Sequence, residues 1–245
     1  MLKKALFLIL TIALAFNCPA QTLRVVTEEA APYQIVLNGK VVAGQSFLLV
    51  DELLRRADIH SPMEVLPWAR AYAIGLSEPN VLIFSMARTA PREANFNWLI
   101  KLDSITFHFF SLATRPDLQI QSISEALQYS VATVRNSAEA QSLLDMGFVE
   151  GENLILTHSY KKAWKMVLLK RADFTYADIF IQDATYDTQG GVSALFSKGY
   201  NRGRGSDLYL ATSINTDTEI LHKLQTSLQS MQQDGTVKKL LSQLD

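Results

Sequence analysis

The segment Ser85–Glu93 places an arginine where a buried strand gives way to a helix. The apolar run Val81–Phe84 is typical of a buried strand, and Pro91 fits the first position of a helix, where no N–H is needed. A helix start exposes free backbone N–H groups, and Arg92 adds a guanidinium beside them. Such a combination favours a bound carboxylate. The segment therefore predicts an anion-binding site, although surface arginines also occur near helix starts.

Two later segments carry further groups that could bind a ligand. Asn136 and Ser137 follow the strand Val131–Val134 and can donate hydrogen bonds, although Ser137 also suits a helix cap. Asp178 follows the strand Asp173–Tyr176, and ligand sites gather at such strand ends in α/β proteins. A capping role would equally explain this aspartate. The sequence thus predicts a carboxylate and several donors close to the anion site.

In their order along the chain, these segments resemble the family 3 solute-binding proteins of bacterial periplasms. Thr89–Arg92 resembles the family's Thr-x-x-Arg motif, and Arg171–Asp178 resembles its Arg-Ala-Asp segment with a second aspartate five residues after the first. Asp234–Leu241 resembles the closing helix with its Asp-Gly-Thr turn. The resemblance runs from about Leu23 to about Leu244, and the order of the motifs is more specific than any one of them.

The resemblance implies a role for each candidate residue. Arg92 would hold the α-carboxylate of an amino-acid ligand and Asp178 its α-amino group. Asn136 and Ser137 match a loop that contacts the carboxylate, although Arg135 replaces the usual glycine there. Ser85 and Ala87 occupy positions that usually offer backbone or hydroxyl groups to the ligand. Tyr33 matches an aromatic position that packs against the ligand's side chain, and Glu28 lies where relatives contact the ligand's far end.

Other chemistry finds little support. The four histidines, His60, His108, His158 and His222, lack the spacing of metal ligands. Neither a Gly-x-Ser-x-Gly elbow nor a P-loop occurs. We therefore expect no catalytic residue, no metal and no cofactor. Trp68 could line the cleft, but a place in the core is the favoured interpretation.

The predicted elements alternate between strands and helices, which indicates βαβ units with a largely parallel sheet. Asn38-Gly39 between apolar runs predicts a hairpin. The alternation begins again after a strand at 107–113, which suggests a second α/β lobe. With the resemblance, the predicted fold is a two-lobed periplasmic binding protein of type II. Each lobe is a mostly parallel sheet flanked by helices, and two crossing strands join the lobes.

The resemblance also implies a discontinuous first lobe. Mapped onto this chain, lobe one covers 22–110 with 211–245, and lobe two covers 114–207. The crossing strands are expected at Phe109–Thr114 and Asp207–Thr212.

The N-terminus is typical of a signal peptide over residues 1–20. Lys3 and Lys4 precede an apolar run from Ala5 to Phe16 that is too short to span a membrane. Lipid attachment at Cys18 is the less favoured alternative, because Asn17 stands where lipoprotein signals carry a small residue. The formal charge of −1 gives no basic footprint for nucleic acid. We expect a periplasmic monomer.

The predicted function is capture of an amino acid or similar small carboxylate in the cleft between the lobes. Delivery to an inner-membrane ABC permease would follow. Two alternatives stay open at this point: an accessory or sensory binding protein without a transport role, and a dehydratase-like enzyme on the same fold.

Overall fold

The computed structural model describes residues 22–178, 195–201 and 205–242, so the predicted signal peptide and Cys18 lie outside the described residues. The described chain is a mixed α/β protein, as predicted. Its strands are β1 Arg24–Thr27, β2 Ile35–Leu37, β3 Lys40–Ala43, β4 Met63–Val65, β5 Val81–Ala87, β6 Phe96–Leu112, β7 Val131–Val134, β8 Leu154–Thr157, β9 Phe174–Asp178, β10 Phe196–Lys198 and β11 Gly205–Ser213. Its helices are α1 Gln45–Arg56, α2 Trp68–Ser77, α3 Ile123–Ala126, α4 Ala138–Asp145, α5 Tyr160–Leu168, α6 Thr218–Gln233 and α7 Thr236–Leu241.

Nine of the described strands form one continuous sheet in the order β4-β1-β5-β11-β6-β9-β7-β8, with β10 added to β6. The other two, β2 and β3, form a separate antiparallel hairpin with its turn at Asn38-Gly39, as predicted. On one side, β1 lies parallel to β4 and β5. On the other side, β7 lies parallel to β8 and β9. The antiparallel strands β6 and β11 stand between these two parallel groups. We refer to the group around β1 as lobe one and to the group around β7 as lobe two.

Strand β6 connects the lobes, and its first two thirds were not predicted from the sequence. Residues 96–106 pair with β11, and Phe107–Phe110 pair with β9 of lobe two. In this part the apolar run Trp98–Ile100 is short and polar residues interrupt the pattern on both sides, so the sequence analysis did not recognise a strand here. The predicted lobe boundaries fall within or next to β6 and β11, which are continuous strands. No break in the chain's pairing marks these boundaries, so they stay a prediction.

Each lobe has its own helical cover, and the buried apolar residues of both lobes form one connected core. Helices α1, α6 and α7 pack on one another in lobe one, and α4 and α5 pack on β7 in lobe two. In lobe two the fully buried Trp164 stands edge-on to Phe196 and tilted against Phe110. Among the described residues no helix is long and apolar enough to cross a membrane.

The segment around Pro91 is a 3-10 helix at Ala90–Asn95 rather than an α-helix. Thr89 precedes it in extended conformation, and Pro91 is its second residue, one position later than the first position that the sequence predicted. A helix of six residues carries few aligned peptide dipoles. The charge at this place therefore comes mainly from the arginine itself.

Candidate functional site

The Arg92 side chain points into the protein, where only 5% of the residue is exposed. Nη1 donates to the carbonyl of Ala87 at 2.9 Å, and Nη2 donates to the carbonyl of Asn136 at 2.8 Å. Ala87 ends β5 in lobe one, whereas Asn136 follows β7 in lobe two. Arg92 therefore joins the backbones of the two lobes.

Two aromatic rings of α2 hold the guanidinium in place. The Arg92 carbon Cζ lies 5.3 Å from the centre of the Trp68 ring and 4.8 Å from that of Tyr72, within the range of cation–π attraction. Trp68 also donates from Nε1 to the Asn136 carbonyl at 2.8 Å. Asn136 adopts a left-handed backbone conformation with φ of 60°, which asparagine tolerates better than most residues. One carbonyl of lobe two thus accepts two hydrogen bonds from lobe one.

None of the ion pairs between described residues includes Arg92. Burial is the main influence on its guanidinium and lowers its pKa, while Tyr72 and Glu139 oppose that effect. A buried cation without a direct carboxylate partner is costly in a folded protein. Its five N–H groups also exceed the two carbonyls that it contacts. The arrangement can therefore accept an anion.

The charge of Arg92 influences the pKa of two buried glutamates, Glu28 and Glu139. Burial raises the pKa of Glu28 well above its usual value, Glu139 raises it further, and Arg92 lowers it. Burial also raises the pKa of Glu139, although hydrogen bonds from Ser137 and Tyr160 oppose the shift. The Tyr160 hydroxyl donates to Glu139 Oε1 at 3.0 Å. Glu28 of lobe one and Glu139 of lobe two thus belong to one electrostatic cluster.

Asp178 lies where β6 passes from one lobe to the other. It pairs with Phe107, the first residue of β6 that pairs with lobe two, and its Oδ2 accepts from the backbone N–H of Thr106 at 2.9 Å. The residue is 1% exposed, and its charge raises the pKa of the buried Tyr33 and Tyr160 hydroxyls. Asp178 therefore belongs to the same cluster as the two glutamates.

Tyr33 is also buried in this region. Its carbonyl accepts from the N–H of Ser46 at the start of α1, and the backbone of Gly44 approaches that carbonyl so closely that a Cβ would lie 2.3 Å from it. Glycine is therefore required at position 44. Among the described residues, the Tyr33 hydroxyl has no hydrogen-bond partner. Such an orphaned buried hydroxyl requires an explanation, and a ligand or water would supply one.

Ser85 is displaced from the ladder by a β-bulge. In the pairing of β5 with β11, Met86 lies opposite Tyr209, and the next pair is Ile83 with Ala211, so the register shifts between them. Ser85 lies at this shift and has a left-handed φ of 56°. Its hydroxyl donates to Gln34 Oε1 at 2.7 Å. Bulges re-aim side chains and occur often beside functional sites. The bulge therefore turns Ser85 toward the loop that carries Tyr33.

A pocket of about 250 Å³ opens beside Arg92 at the boundary of the lobes. Tyr72 and Pro91 line it from lobe one, and Ser137 and Leu144 line it from lobe two. The Ser137 hydroxyl accepts from the N–H of Ala140 at 3.1 Å and so caps α4. The carboxylates described above are not among the residues that line this pocket. Arg92 thus stands between an outer pocket and an inner polar cluster.

Two other arginines close to these motifs in the chain, Arg88 and Arg135, are engaged in ion pairs with partly exposed glutamates. Arg88 forms an ion pair with Glu93 and lies over the rings of Trp98 and Tyr209. Arg135 forms an ion pair with the exposed Glu150. The charge of Arg135 is therefore balanced by a neighbouring glutamate of the same lobe.

Sequence reasoning missed two members of the cluster, Glu139 and Tyr160. Glu139 lies in the first turn of α4, where an acidic residue needs no ligand to explain it. Tyr160 begins α5 after the cap Ser159 and resembles an ordinary core residue. Both residues come shortly after parallel strands of one sheet, β7 and β8. Because ligand sites gather at the carboxyl ends of such strands, this position could have marked both residues as candidates.

We expect Trp68→Phe to weaken ligand binding about fivefold. The substitution keeps an aromatic ring over Arg92 but removes the hydrogen bond to Asn136, which is worth about 1 kcal/mol and holds the lobes together. Calorimetric titration of the ligand would measure the change. Trp98→Phe is the matched control, because its Nε1 bonds Glu93 within lobe one. Equal affinity in the wild type and Trp68→Phe would contradict the role of this contact.

The two glutamates predict that the ligand-free protein loses stability as pH rises. The native state holds protons on Glu28 and Glu139 above their usual pKa of 4.5, whereas the unfolded state releases them. Stability then falls by about 1.4 kcal/mol per pH unit for each group until its native pKa is reached. Melting temperatures between pH 5 and 8 would show a decline in the wild type and a shallower one in Glu28→Gln. Identical slopes for the two proteins would contradict the buried, protonated state.

No protein-family model and no curated protein sequence matches this chain. Solved structures do match it over almost its whole length. A histidine kinase sensor domain with similarity to periplasmic binding proteins superposes with a TM-score of 0.76 at 14% identity, over 90% of this chain and 94% of that one. The arginine-, lysine- and histidine-binding protein ArtJ of Geobacillus stearothermophilus gives 0.75 at 12% identity, over 90% and 93%.

A third neighbour is the GluR0 ligand-binding core of Nostoc punctiforme in complex with L-glutamate. It has a TM-score of 0.70 and 19% identity, and the match covers 89% of this chain and 96% of that one. Two of these neighbours are ligand-binding proteins and one is a sensor domain, and at sequence identities this low the similarity shows the fold alone. The chain has the two-lobed fold of the periplasmic amino-acid-binding proteins, which is the fold of the family that its sequence motifs resemble.

Proposed function

We propose that this protein captures a free amino acid, or a closely related small carboxylate, between its two lobes. Arg92 would bind the carboxylate of the ligand, with help from Asn136 and Ser137 of lobe two. Asp178 would bind the amino group. One zwitterion would then contact both lobes and favour their closed arrangement. The observation that carries this proposal is the burial of Arg92 without a carboxylate partner among the described residues.

The remaining candidates would shape the ligand's surroundings. Tyr33 offers a buried hydroxyl, Ser85 lies in a bulge beside it, and Glu28 adds a carboxyl group. The Ala87 carbonyl positions Arg92, and the backbone at Ala87 would also contact the ligand. Arginine and L-glutamate in the names of similar structures favour amino acids as the ligand class.

The proposed setting is the periplasm, with export by the segment 1–20 and delivery of the ligand to an inner-membrane ABC permease. We propose binding without turnover, by a monomer whose lobes have the boundaries given above. N-terminal sequencing of the exported protein would test cleavage. Uptake of labelled ligand in a deletion strain would test delivery.

Native mass spectrometry of the exported protein, followed by a thermal-shift panel, would test the binding function. We expect a small zwitterion to co-purify, or one class of amino acid to raise the melting temperature by several degrees. Absence of any ligand together with no shift across the panel would reject the proposal. Conversion of an added candidate ligand into a product of different mass during incubation with the protein would favour the enzymatic alternative.

A sensory role is the second candidate, because a histidine kinase sensor domain is among the similar structures. In that case the closed protein would bind a membrane receptor instead of a permease. Uptake would then be normal in the deletion strain, while a ligand-dependent transcriptional response would be lost. The opposite result would favour transport.

A further inference from the structure

The outer pocket beside Arg92 has apolar walls and a cationic group. The walls come from both lobes: Tyr72, Leu76 and Pro91 of lobe one, and Ala140, Leu144 and Leu156 of lobe two. Of the described residues that line the pocket, Arg92 alone carries a charged side chain. A cavity with one buried guanidinium and apolar surroundings suits an anion with an apolar body.

The volume of the outer pocket limits the size of its occupant. A volume of about 250 Å³ equals that of about eight water molecules in the liquid, at ~30 Å³ each. Because bonded carbon atoms pack more closely than separate waters, an acid of about ten non-hydrogen atoms fits there. Leu76 and Leu144 line the pocket and are 43% and 44% exposed, so an apolar body would remove part of both side chains from water.

Hydrogen-bond donors with spare capacity line the same pocket. The carbonyls of Ala87 and Asn136 use two of the five N–H groups of Arg92. The side chains of Thr89 and Asn136 also line the pocket, and within the described part of the chain neither makes a hydrogen bond. A carboxylate placed there would accept from a guanidinium, a hydroxyl and an amide at once, which favours it over a neutral polar group.

The outer pocket offers nothing to an ammonium group. No aspartate or glutamate is among its described lining residues, and Asp178, the proposed partner of an amino group, lies at the junction of β6 and β9 instead. A positive charge in the pocket would lie beside Arg92 without a counter-charge, and like charges in a partly buried place repel strongly. The pocket therefore selects against cations and against zwitterions that lie wholly within it.

We propose that the outer pocket binds an apolar monocarboxylate, an alkyl or aryl acid of about ten non-hydrogen atoms without an amino group. Its carboxylate accepts hydrogen bonds from Arg92, Thr89 and Asn136, and its body packs between α2 of lobe one and α4 of lobe two. This inference rests on the proposed function in one respect, the use of Arg92 as a carboxylate donor, and it adds a second class of ligand. Because both classes use Arg92, they compete.

Three probes with one carbon skeleton test the charge requirement. 4-Methylpentanoate carries a carboxylate, 4-methylpentanamide is neutral, and 4-methylpentylamine carries an ammonium. We expect calorimetric titration to show that the acid binds at least tenfold more tightly than the other two. Phenylacetate and phenylacetamide repeat the comparison with an aryl body. Equal affinity of acid and amide in both series, or binding of neither acid, would overturn the inference.

Variants of the pocket wall test the location. Leu144→Asp should weaken binding of 4-methylpentanoate at least tenfold, because a like charge replaces an apolar contact. Leu169→Asp is the matched control, since Leu169 is a 50% exposed leucine of the same lobe and does not line the pocket. Unchanged affinity in Leu144→Asp, or an equal loss in both variants, would overturn the inference. If Leu144→Asp fails to fold, Leu76→Asp on the opposite wall provides the same test.

An amino-acid panel separates this inference from the proposed function. Binding of an amino acid but of no apolar acid would overturn the inference and leave the proposed function intact. Binding of an apolar acid but of no amino acid would support the inference and reject the amino acid as a ligand. Where both bind, we expect 4-methylpentanoate to raise the apparent Kd of the amino acid. Independent binding of the two would overturn the shared use of Arg92.

Discussion

Replacing Arg92 by methionine should weaken ligand binding by a factor of about 30 to 4000. Truncating one partner of a buried, hydrogen-bonded charge pair costs about 2–5 kcal/mol, and each 1.4 kcal/mol is a factor of ten in affinity. Methionine fills much of the same volume beneath Trp68 and Tyr72 but cannot donate a hydrogen bond. The expected defect therefore lies in binding of the carboxylate.

The structure also predicts a smaller effect of Arg92→Met on stability. The carbonyl of Ala87 loses a donor, while that of Asn136 keeps the bond from Trp68. Each lost hydrogen bond contributes about 1 kcal/mol, and removal of a buried charge offsets part of the loss. Thermal unfolding without ligand would measure this change separately from binding.

Arg88→Met is the matched control for Arg92→Met. Both arginines lie over two aromatic rings, but Arg88 is partly exposed and paired with Glu93. We expect calorimetric titration to give wild-type affinity for Arg88→Met. Tight binding by Arg92→Met, or an equal loss in both variants, would contradict the assignment of the carboxylate to Arg92.

Asp178→Asn should weaken binding of an amino acid by a factor of about 30 to 1000. Asparagine has the same shape and can still accept from the N–H of Thr106, so the junction between the lobes should persist. The lost quantity is the charge that would face the ligand's ammonium, with an expected cost of about 2–4 kcal/mol. Calorimetric titration of wild type and variant would measure it.

The Asp178→Asn experiment has two internal checks. Asp117→Asn removes an exposed carboxylate that pairs with Arg115, and it should leave affinity unchanged. An α-hydroxy acid analogue, which lacks the ammonium, should bind wild type weakly and lose little further affinity in Asp178→Asn. Equal losses for the amino acid and the analogue would place the amino group elsewhere.

Local sequence predicted the elements around the site well. Ser137 and Ser159 cap their helices as side-chain acceptors, and Pro91 lies in the first turn of the short 3-10 helix. These features depend on interactions within a few residues, so the chain encodes them locally. Continuous apolar runs such as Val81–Phe84 marked the buried strands, whereas in the partly exposed first part of β6 polar residues interrupt the apolar pattern.

The electrostatic surroundings of the candidate site required the tertiary structure. The Asn136 carbonyl that binds Arg92 is 44 residues away in the chain, and it is 68 residues from Trp68. Glu28 and Glu139 come from different lobes and lie far apart in the chain. Their influence on each other's pKa therefore cannot be predicted from either segment alone.

The chain by itself determined the α/β alternation and singled out Arg92 and Asp178, because both follow from short-range patterns and motif order. Folding alone decided that Arg92 is buried without a carboxylate partner among the described residues, and that Glu28 and Glu139 share its surroundings. The physical reason is that burial and charge–charge coupling depend on distances in space, which sheet pairing sets between residues far apart in sequence.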